Sequence, residues 1–114
     1  MTFTLITGAS RGIGRATAIA LSERGDTVAV HYGSDRAAAE ATIAAMRGDH
    51  HHLVGGDLSD PAMAQFVVDD VLERFGRIDV LVNNAAVAPT PEAAHPVATT
   101  DYATWRSAWQ RMVD

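Results

Sequence analysis

The chain has 114 residues, enough for one small domain, and its 47% apolar and 20% charged residues are ordinary for a folded globular protein. Its formal net charge of −5 gives no electrostatic reason to expect nucleic acid or an anionic membrane as a partner. The lack of cysteine excludes disulfides and thiolate chemistry. Neither a signal peptide nor an apolar run long enough to span a bilayer is found, so we expect a cytoplasmic protein.

Short apolar runs alternate with longer stretches of helical periodicity, a pattern typical of parallel α/β folds. Strands are predicted over residues 3–7, 27–31, 52–54 and 78–82. Helices are predicted from Ile13 to Arg24, from a cap at Ser34 or Asp35 to Arg47, and from Ser59-Asp60-Pro61 to Gly76 with Met63, Val67, Val71 and Phe75 as its buried stripe. Prolines predict a loop over 85–100, and a last helix is predicted from Asp101 with Tyr102, Trp105, Trp109 and Met112 on one face.

These elements predict one half of a Rossmann-type parallel sheet plus one strand, with helices on both faces, in a single domain over residues 1–114. The right-handed crossover rule predicts the strand order 3-2-1-4. Strand 4, Ile-Asp-Val-Leu-Val, would be a bare edge, although so apolar a parallel strand normally has two neighbours. We therefore expect an incomplete sheet, and self-association or a homo-oligomer.

The strongest local motif is Thr7-Gly8-Ala9-Ser10-Arg11-Gly12-Ile13-Gly14, which leaves a predicted strand and opens a predicted helix. Gly8 allows a sharp turn, Gly12 leaves room for a pyrophosphate, and Gly14 lets the helix pack closely on the sheet. The free N–H groups of the first helical turn would face the phosphate oxygens. A flexible loop with incidental glycines is the alternative, and the position between strand and helix favours dinucleotide binding.

Together with two later motifs, this turn resembles the short-chain dehydrogenase/reductase family. Residues 7–14 match the family's TGxxxGxG element, and Asp57 in Gly-Gly-Asp-Leu-Ser is similar to its aspartate after strand 3. Asn83-Asn84-Ala85-Ala86 is similar to its NNAG element, with alanine in place of the glycine, and residues 105–114 resemble the start of its next helix. The match covers essentially the whole chain as the N-terminal part of such a protein.

The resemblance implies a set of cofactor-binding residues. They are Gly8, Ser10, Arg11, Gly12, Ile13 and Gly14 at the diphosphate and ribose, Asp57 and Leu58 at the adenine, and Asn83, Asn84 and Ala85 at the nicotinamide-side ribose. Two of these side chains also have a purely structural interpretation. The Asp57 carboxylate would cap Ser59 or the next helix, and the Asn83 amide would pin neighbouring backbone at the carboxyl end of the sheet.

The end of strand 2 favours NADP over NAD as the cofactor. A carboxylate there would bind both ribose hydroxyls of NAD, but the stretch reads His31-Tyr32-Gly33-Ser34 and the first acidic residue is Asp35. We count Tyr32 and Ser34 among the cofactor-binding residues. Arg11 and Arg36 are available to a 2′-phosphate, since arginine forks onto phosphate oxygens. The alternative is that both arginines are solvated surface charges.

Other polar clusters are interpreted as structural. His50-His51-His52 enters a strand and points to alternate faces, so a metal site is not expected, and a solvent-exposed strand entry is. Asp69-Asp70 is expected on the solvated face of the third helix, and the two tryptophans are expected to pack.

The resemblance implies hydride transfer between NADP(H) and a carbonyl or alcohol substrate by a catalytic tyrosine, lysine and serine. In the family these residues follow the region covered here, and this chain contains no lysine. We therefore assign no catalytic residue, and expect the 114 residues alone to be inactive. The alternative is a non-catalytic dinucleotide-binding or structural subunit completed by another chain, and either form binds a small-molecule substrate only when completed.

Overall fold

The computed structural model describes residues 1–85 of the chain. Strands and helices alternate in the order β1 (Phe3–Ile6), α1 (Gly12–Glu23), β2 (Thr27–Tyr32), α2 (Arg36–Ala45), β3 (His52–Gly55), α3 (Pro61–Phe75) and β4 (Val80–Val82). All seven elements expected in this part of the chain are present. The loop predicted over 85–100, beyond its first residue, and the helix predicted from Asp101 lie outside the described residues.

The four strands form one parallel sheet in the order β3-β2-β1-β4, which confirms the predicted topology. β1 lies in the middle, where Leu5 pairs with Ala29 of β2 and with Leu81 of β4. Because all strands run the same way, the segments that follow them meet at one edge of the sheet.

The sheet carries a separate apolar layer on each face. On one face, Ile6, Val28 and Val30 pack against Ala18 of α1 and Ala39 of α2. On the opposite face, Leu5, Ala29 and Val54 pack against Val67 and Val71 of α3. This alternation of neighbouring strand residues between two layers is what a doubly covered parallel sheet requires.

The predicted stripe of α3 faces this second layer. Val67 and Val71 are fully buried, while Met63 and Phe75 are half-buried at its ends. The ring of Phe75 lies 5.0 Å from that of Phe3. The stripe is therefore confirmed, with its full burial limited to the two central valines.

Two element boundaries differ from the sequence prediction. α2 ends at Ala45 and not at Arg47, because Met46 adopts an extended backbone and turns its side chain into the core at 7% exposure. β4 is limited to Val80–Val82, because Ile78 packs on the α3 layer before the strand begins. Val80 and Leu81 are 38% and 59% exposed, as expected of a sheet edge.

The histidine-rich entry to β3 is more structured than the sequence suggests. His52 is not solvated: its Nε2 lies 2.7 Å from Asp70 Oδ2, and their side chains are 22% and 33% exposed. The expectation that Asp69-Asp70 is simply a solvated face is therefore wrong for Asp70, which α3 turns toward β3. Within residues 1–85, no cluster of acidic and histidine side chains can hold a metal ion, and no helix is long and apolar enough to cross a membrane.

Candidate functional site

The glycine turn leaves β1 at the carboxyl edge of the sheet. Gly8 and Gly12 have φ of 65° and 60°, in the left-handed region that side chains disfavour. A Cβ added at Gly12 would meet no atom within 4 Å, so the backbone there borders open space. Gly12 thus offers an approach to the main chain that almost any other residue would obstruct.

Gly14 plays a different part from the one expected from sequence. An added Cβ would collide with the Gly8 carbonyl oxygen and lie 2.5 Å from Asn84 Nδ2. The close packing that demands a glycine here is therefore against the turn and the segment after β4, and not against the sheet itself. The start of α1, the turn at Gly8 and the Asn84 side chain pack closely together at Gly14.

The N-terminus of α1 lacks the side-chain cap that the other two helices have. Asp35 Oδ1 accepts a hydrogen bond from the Ala38 amide at the start of α2, and Asp60 Oδ1 accepts one from the Ala62 amide at the start of α3. At α1 the N-cap position is Arg11, which makes no capping bond, and the first turn holds no acidic residue. The amide groups and positive dipole end of α1 therefore favour an anion.

The remaining residues of the turn divide into exposed and anchored positions. Arg11 is exposed, and the Ile13 side chain is 79% exposed. Ser10 is buried, and Thr42 Oγ1 of α2 donates to the Ala9 carbonyl at 3.0 Å and approaches the Ser10 carbonyl at 3.4 Å. The turn is thus fixed from below by α2 while its outer surface stays open.

Residues after β4 contact the turn directly. Thr7 Oγ1 accepts hydrogen bonds from the amides of Asn84 and Ala85, both at 2.9 Å. Asn84 Nδ2 donates to the Gly8 carbonyl at 3.1 Å. The Asn83 side chain is exposed and, among residues 1–85, reaches only Thr7 Oγ1, at 3.5 Å. The backbone-pinning role considered for Asn83 therefore belongs to Asn84.

His31 was not identified as a site residue from sequence, yet it lies at the centre of this edge. Its Nδ1 accepts a hydrogen bond from the Gly8 amide at 3.0 Å, and its Nε2 lies 2.8 Å from the Gly56 carbonyl. Burial lowers the pKa of His31, and the bond to Gly56 opposes that shift. The available signal was a polar residue at the end of the apolar run Thr-Val-Ala-Val-His.

The end of β2 brings Tyr32 and Arg36 together. Arg36 Nη1 donates to Tyr32 Oη at 3.3 Å, and Arg36 Nε donates to Glu40 at 2.9 Å. The Tyr32 ring lies over Gly55, where an added Cβ would be 2.7 Å from Cε2. Ser34 is exposed, and Asp35 is engaged as the cap of α2. Arg36 is therefore an exposed charge paired with Glu40 and Tyr32, and not simply the solvated charge considered as the alternative.

The loop after β3 contains the adenine-side candidates. Asp57 Oδ1 accepts bonds from the amide and hydroxyl of Ser59, at 3.0 and 2.7 Å, so the turn role considered for Asp57 is present. Leu58 packs against the α3 layer. The structure thus places all the predicted cofactor-binding residues at one sheet edge, and the turn after β1 bonds directly to His31 of β2, to α2 and to the segment after β4.

Comparisons with known proteins agree with this arrangement. A sequence profile described as short chain dehydrogenase matches residues 2–114. L-rhamnose 1-dehydrogenase (NAD(P)(+)) of Sphingomonas sp. (strain SKA58) is 41% identical over 87 residues, which are 75% of this chain and 34% of that protein. The 3-oxoacyl-[acyl-carrier-protein] reductase FabG of Staphylococcus aureus (strain Mu50) is 39% identical over 85 residues, 73% of this chain and 35% of that protein. The chain thus spans about a third of the length of these relatives.

Solved structures share the fold. Acetoin dehydrogenase from Enterobacter cloacae superposes with a TM-score of 0.78 at 33% identity, covering 96% of this chain and 43% of that one. The 3-ketoacyl-(acyl-carrier-protein) reductase from Brucella melitensis complexed with NADH gives 0.77 at 28% identity, covering 96% and 43%.

Proposed function

The chain belongs to the short-chain dehydrogenase family, and from that premise we propose that it is the dinucleotide-binding part of an oxidoreductase that uses NADP(H) and a carbonyl or alcohol substrate. The nicotinamide, when bound, supplies or accepts the hydride. This chain's own residues bind and orient the dinucleotide. Substrate, oligomeric assembly and a cytoplasmic location are parts of the same proposal.

One observation carries the binding role: a glycine turn with open space at Gly12 leads into the one helix, among the three in residues 1–85, that has no side-chain cap. A helix N-terminus with unpaired amides stabilises a phosphate group placed against it. Arg11 is the N-cap residue of α1, and the first turn of this helix contains no acidic residue. No carboxylate there competes with a phosphate for the helix N-terminus.

We assign the dinucleotide to the carboxyl edge of the sheet. Its diphosphate would lie on Gly8, Ser10, Arg11, Gly12, Ile13 and Gly14, its adenine half near Tyr32, Ser34, Asp57 and Leu58, and its nicotinamide-side ribose near Asn83, Asn84 and Ala85. From the diphosphate at β1, the adenine half would extend toward β2 and β3 and the nicotinamide half toward β4.

The preference for NADP rests on the charges near the end of β2. The first carboxylate after the strand, Asp35, accepts the Ala38 amide as the cap of α2 and is therefore held by the helix. Arg11 is exposed and, within residues 1–85, makes no side-chain hydrogen bond or ion pair, which leaves it available to a 2′-phosphate. Arg36 reaches the same end of β2 but is shared with Glu40 and Tyr32.

A second candidate is a non-catalytic dinucleotide-binding subunit whose sheet another chain completes. The exposed edge strand, with Leu81 at 59%, supports it. Both candidates predict dinucleotide binding, and the intact mass of the natural protein distinguishes them.

Titration of the 114-residue chain with NADPH and NADH, followed by calorimetry, tests the proposal. We expect NADPH to bind more tightly, and Arg11→Ala to lose about 1.5–3 kcal/mol of NADPH binding while NADH binding changes little. Equal affinities in the unsubstituted chain would exclude the NADP preference.

Gly12→Asn sharpens the test of the phosphate position. Asparagine tolerates a positive φ better than other side chains, so the variant keeps its fold while the new side chain occupies the open space. Gly76→Asn is the matched control, since Gly76 has φ 82° and equally open surroundings at the end of α3. We expect loss of binding only in Gly12→Asn, and unchanged binding there would place the phosphate elsewhere.

A further inference from the structure

His31 is a polar residue with only 2% exposure, in a strand that is otherwise part of the core. Its two ring nitrogens face backbone groups of opposite kind. The Gly8 amide can only donate, so Nδ1, 3.0 Å away, carries the lone pair. The Gly56 carbonyl can only accept, so Nε2, 2.8 Å away, carries the proton. The geometry therefore assigns the neutral Nε2–H tautomer.

These two bonds join the segments that flank β2 on either side. Gly8 is the first glycine of the glycine turn, and Gly56 directly precedes Asp57. The backbone of β2 adds parallel links, because the Ala9 amide donates to the His31 carbonyl at 2.8 Å and the Gly56 amide donates to the Tyr32 carbonyl at 3.1 Å. The imidazole is the one side chain in residues 1–85 that bonds to both segments.

A second proton on the ring is incompatible with this arrangement. An imidazolium has two N–H donors, so its Nδ1–H would face the Gly8 N–H, and that bond would be replaced by repulsion. The charged groups on the surrounding segments are Arg11 in the turn, Asp57 in the loop and Asp60 at the start of α3. Arg11 is exposed, and both carboxylates accept bonds from their own turns.

We propose that His31, as the neutral Nε2–H tautomer, is a positioning residue that fixes the glycine turn relative to the adenine-side loop, so that its protonation releases the dinucleotide. The inference rests on the dinucleotide-binding role proposed above. It adds to that role a coupling between the diphosphate and adenine subsites, and an acid limit to cofactor binding.

The chain provides a matched control at the opposite end of β2. His51 Nδ1 accepts from the Val28 amide at 3.0 Å, and its Nε2 lies 2.7 Å from the Arg47 carbonyl. The same tautomer therefore makes the same pair of bonds, but far from the glycine turn. A variant at His51 loses equivalent hydrogen bonds without touching the proposed site.

The experiment combines ring nitrogen NMR with NADPH titrations of the 114-residue chain, His31→Asn and His51→Asn. At neutral pH the ring shifts should report Nε2–H at both histidines. His31→Asn should bind NADPH about tenfold more weakly, since one of the two buried backbone groups loses its partner, and His51→Asn should bind normally.

The pH profile separates positioning from a general structural role. Burial lowers the pKa of His31. The affinity for NADPH should therefore be highest when the pH is above the ordinary pKa of histidine, and it should be lost as the pH falls through the lowered pKa of His31. Below that pKa the affinity of the unsubstituted chain and of His51→Asn should fall about tenfold per pH unit, within the range where circular dichroism shows them folded. The profile of His31→Asn should lack this step.

The outcomes distinguish the two proposals. If the unsubstituted chain binds neither dinucleotide at neutral pH, the proposed function fails. If it binds but His31 is found as the Nδ1–H tautomer, or His31→Asn binds as tightly as the unsubstituted chain, the inference about His31 is overturned and the proposed function stands. Equal losses in the His31 and His51 variants would also overturn it, because they would reflect stability alone.

Discussion

The two ends of the sheet are held together by different kinds of interaction. At the carboxyl end, neutral side chains bind backbone groups: Thr7, His31, Thr42 and Asn84 all bond to amides or carbonyls of the glycine turn or of the segment after β4. At the amino end, the carboxylates of Asp26 and Asp79 pair with arginines, alongside the two backbone bonds of His51. The glycine turn, where the anionic diphosphate would lie, is thus held by neutral side chains, whereas the opposite end includes carboxylate–arginine pairs.

The amino end shows this second mode in detail. Asp79 Oδ2 accepts the Phe3 amide at 2.8 Å, and Arg77 Nε donates to Asp79 Oδ1 at 3.1 Å while its guanidinium lies 5.0 Å from the centre of the Phe3 ring. Arg24 and Asp26 form a further pair at 2.7 Å. These contacts close the sheet where no ligand is expected, so their loss should affect stability without affecting binding.

The largest effect should come from Gly14→Ala, which tests whether the carboxyl end of the sheet can accommodate one added methyl group. The new Cβ meets backbone and an amide group held by hydrogen bonds, so we expect about 2–3 kcal/mol of destabilisation and loss of NADPH binding. Gly33→Ala is the control, because a Cβ there meets nothing within 4 Å. Denaturant unfolding and NADPH titration check both variants. If Gly14→Ala is as stable as the unsubstituted chain and still binds NADPH, the turn can shift to accommodate the added methyl group at little cost.

Thr7→Val should have the next largest effect and compares the two ends directly. The substitution keeps the shape but leaves the Asn84 and Ala85 amides without their acceptor, and we expect about 2 kcal/mol of destabilisation and weaker NADPH binding. Thr4→Val is its counterpart, since Thr4 Oγ1 donates to Asp26 Oδ2 at 3.2 Å near the amino end. It should lower the free energy of unfolding but leave NADPH affinity unchanged. A loss of affinity in Thr4→Val would remove the distinction between the two ends.

The smallest effect should come from Asp26→Asn, which tests the charged end through pH. The hydrogen bond from Arg24 lowers the pKa of Asp26, so its contribution to stability is present above the ordinary aspartate value, about 3.9, and is lost as the pH falls through the lowered one. We expect about 1 kcal/mol at neutral pH, because Arg24 is 61% exposed and solvent screens the pair.

Unfolding free energies measured from neutral to acidic pH should show a shallower decline for Asp26→Asn than for the unsubstituted chain. The Phe3 amide and Arg77 also lower the pKa of Asp79, so part of the decline should remain in the variant. Identical profiles would mean that the Arg24–Asp26 pair contributes nothing in solution.

The sequence predicted what depends on local pattern and missed what depends on distant contacts. Apolar periodicity placed the seven elements and their order, and the glycine spacing located the turn. The roles of His31, Asn84 and Asp70 were missed or misassigned because each contacts a residue 18 to 76 positions away. The sequence also placed Met46 inside the second helix. Its extended backbone and its burial depend on how α2 meets the sheet, and no local pattern specifies that contact.

The contact between Thr7 and the segment after β4 also has a consequence for how the protein is made. Thr7 Oγ1 bonds to amides 77 and 78 residues further along the chain. A nascent polypeptide that has emerged from the ribosome only as far as α3 already carries every glycine of the motif together with His31 and Thr42, but not the bonds that join the turn to the segment after β4. The last of the bonds to the turn therefore form late in synthesis, when residues 80–85 dock beside β1.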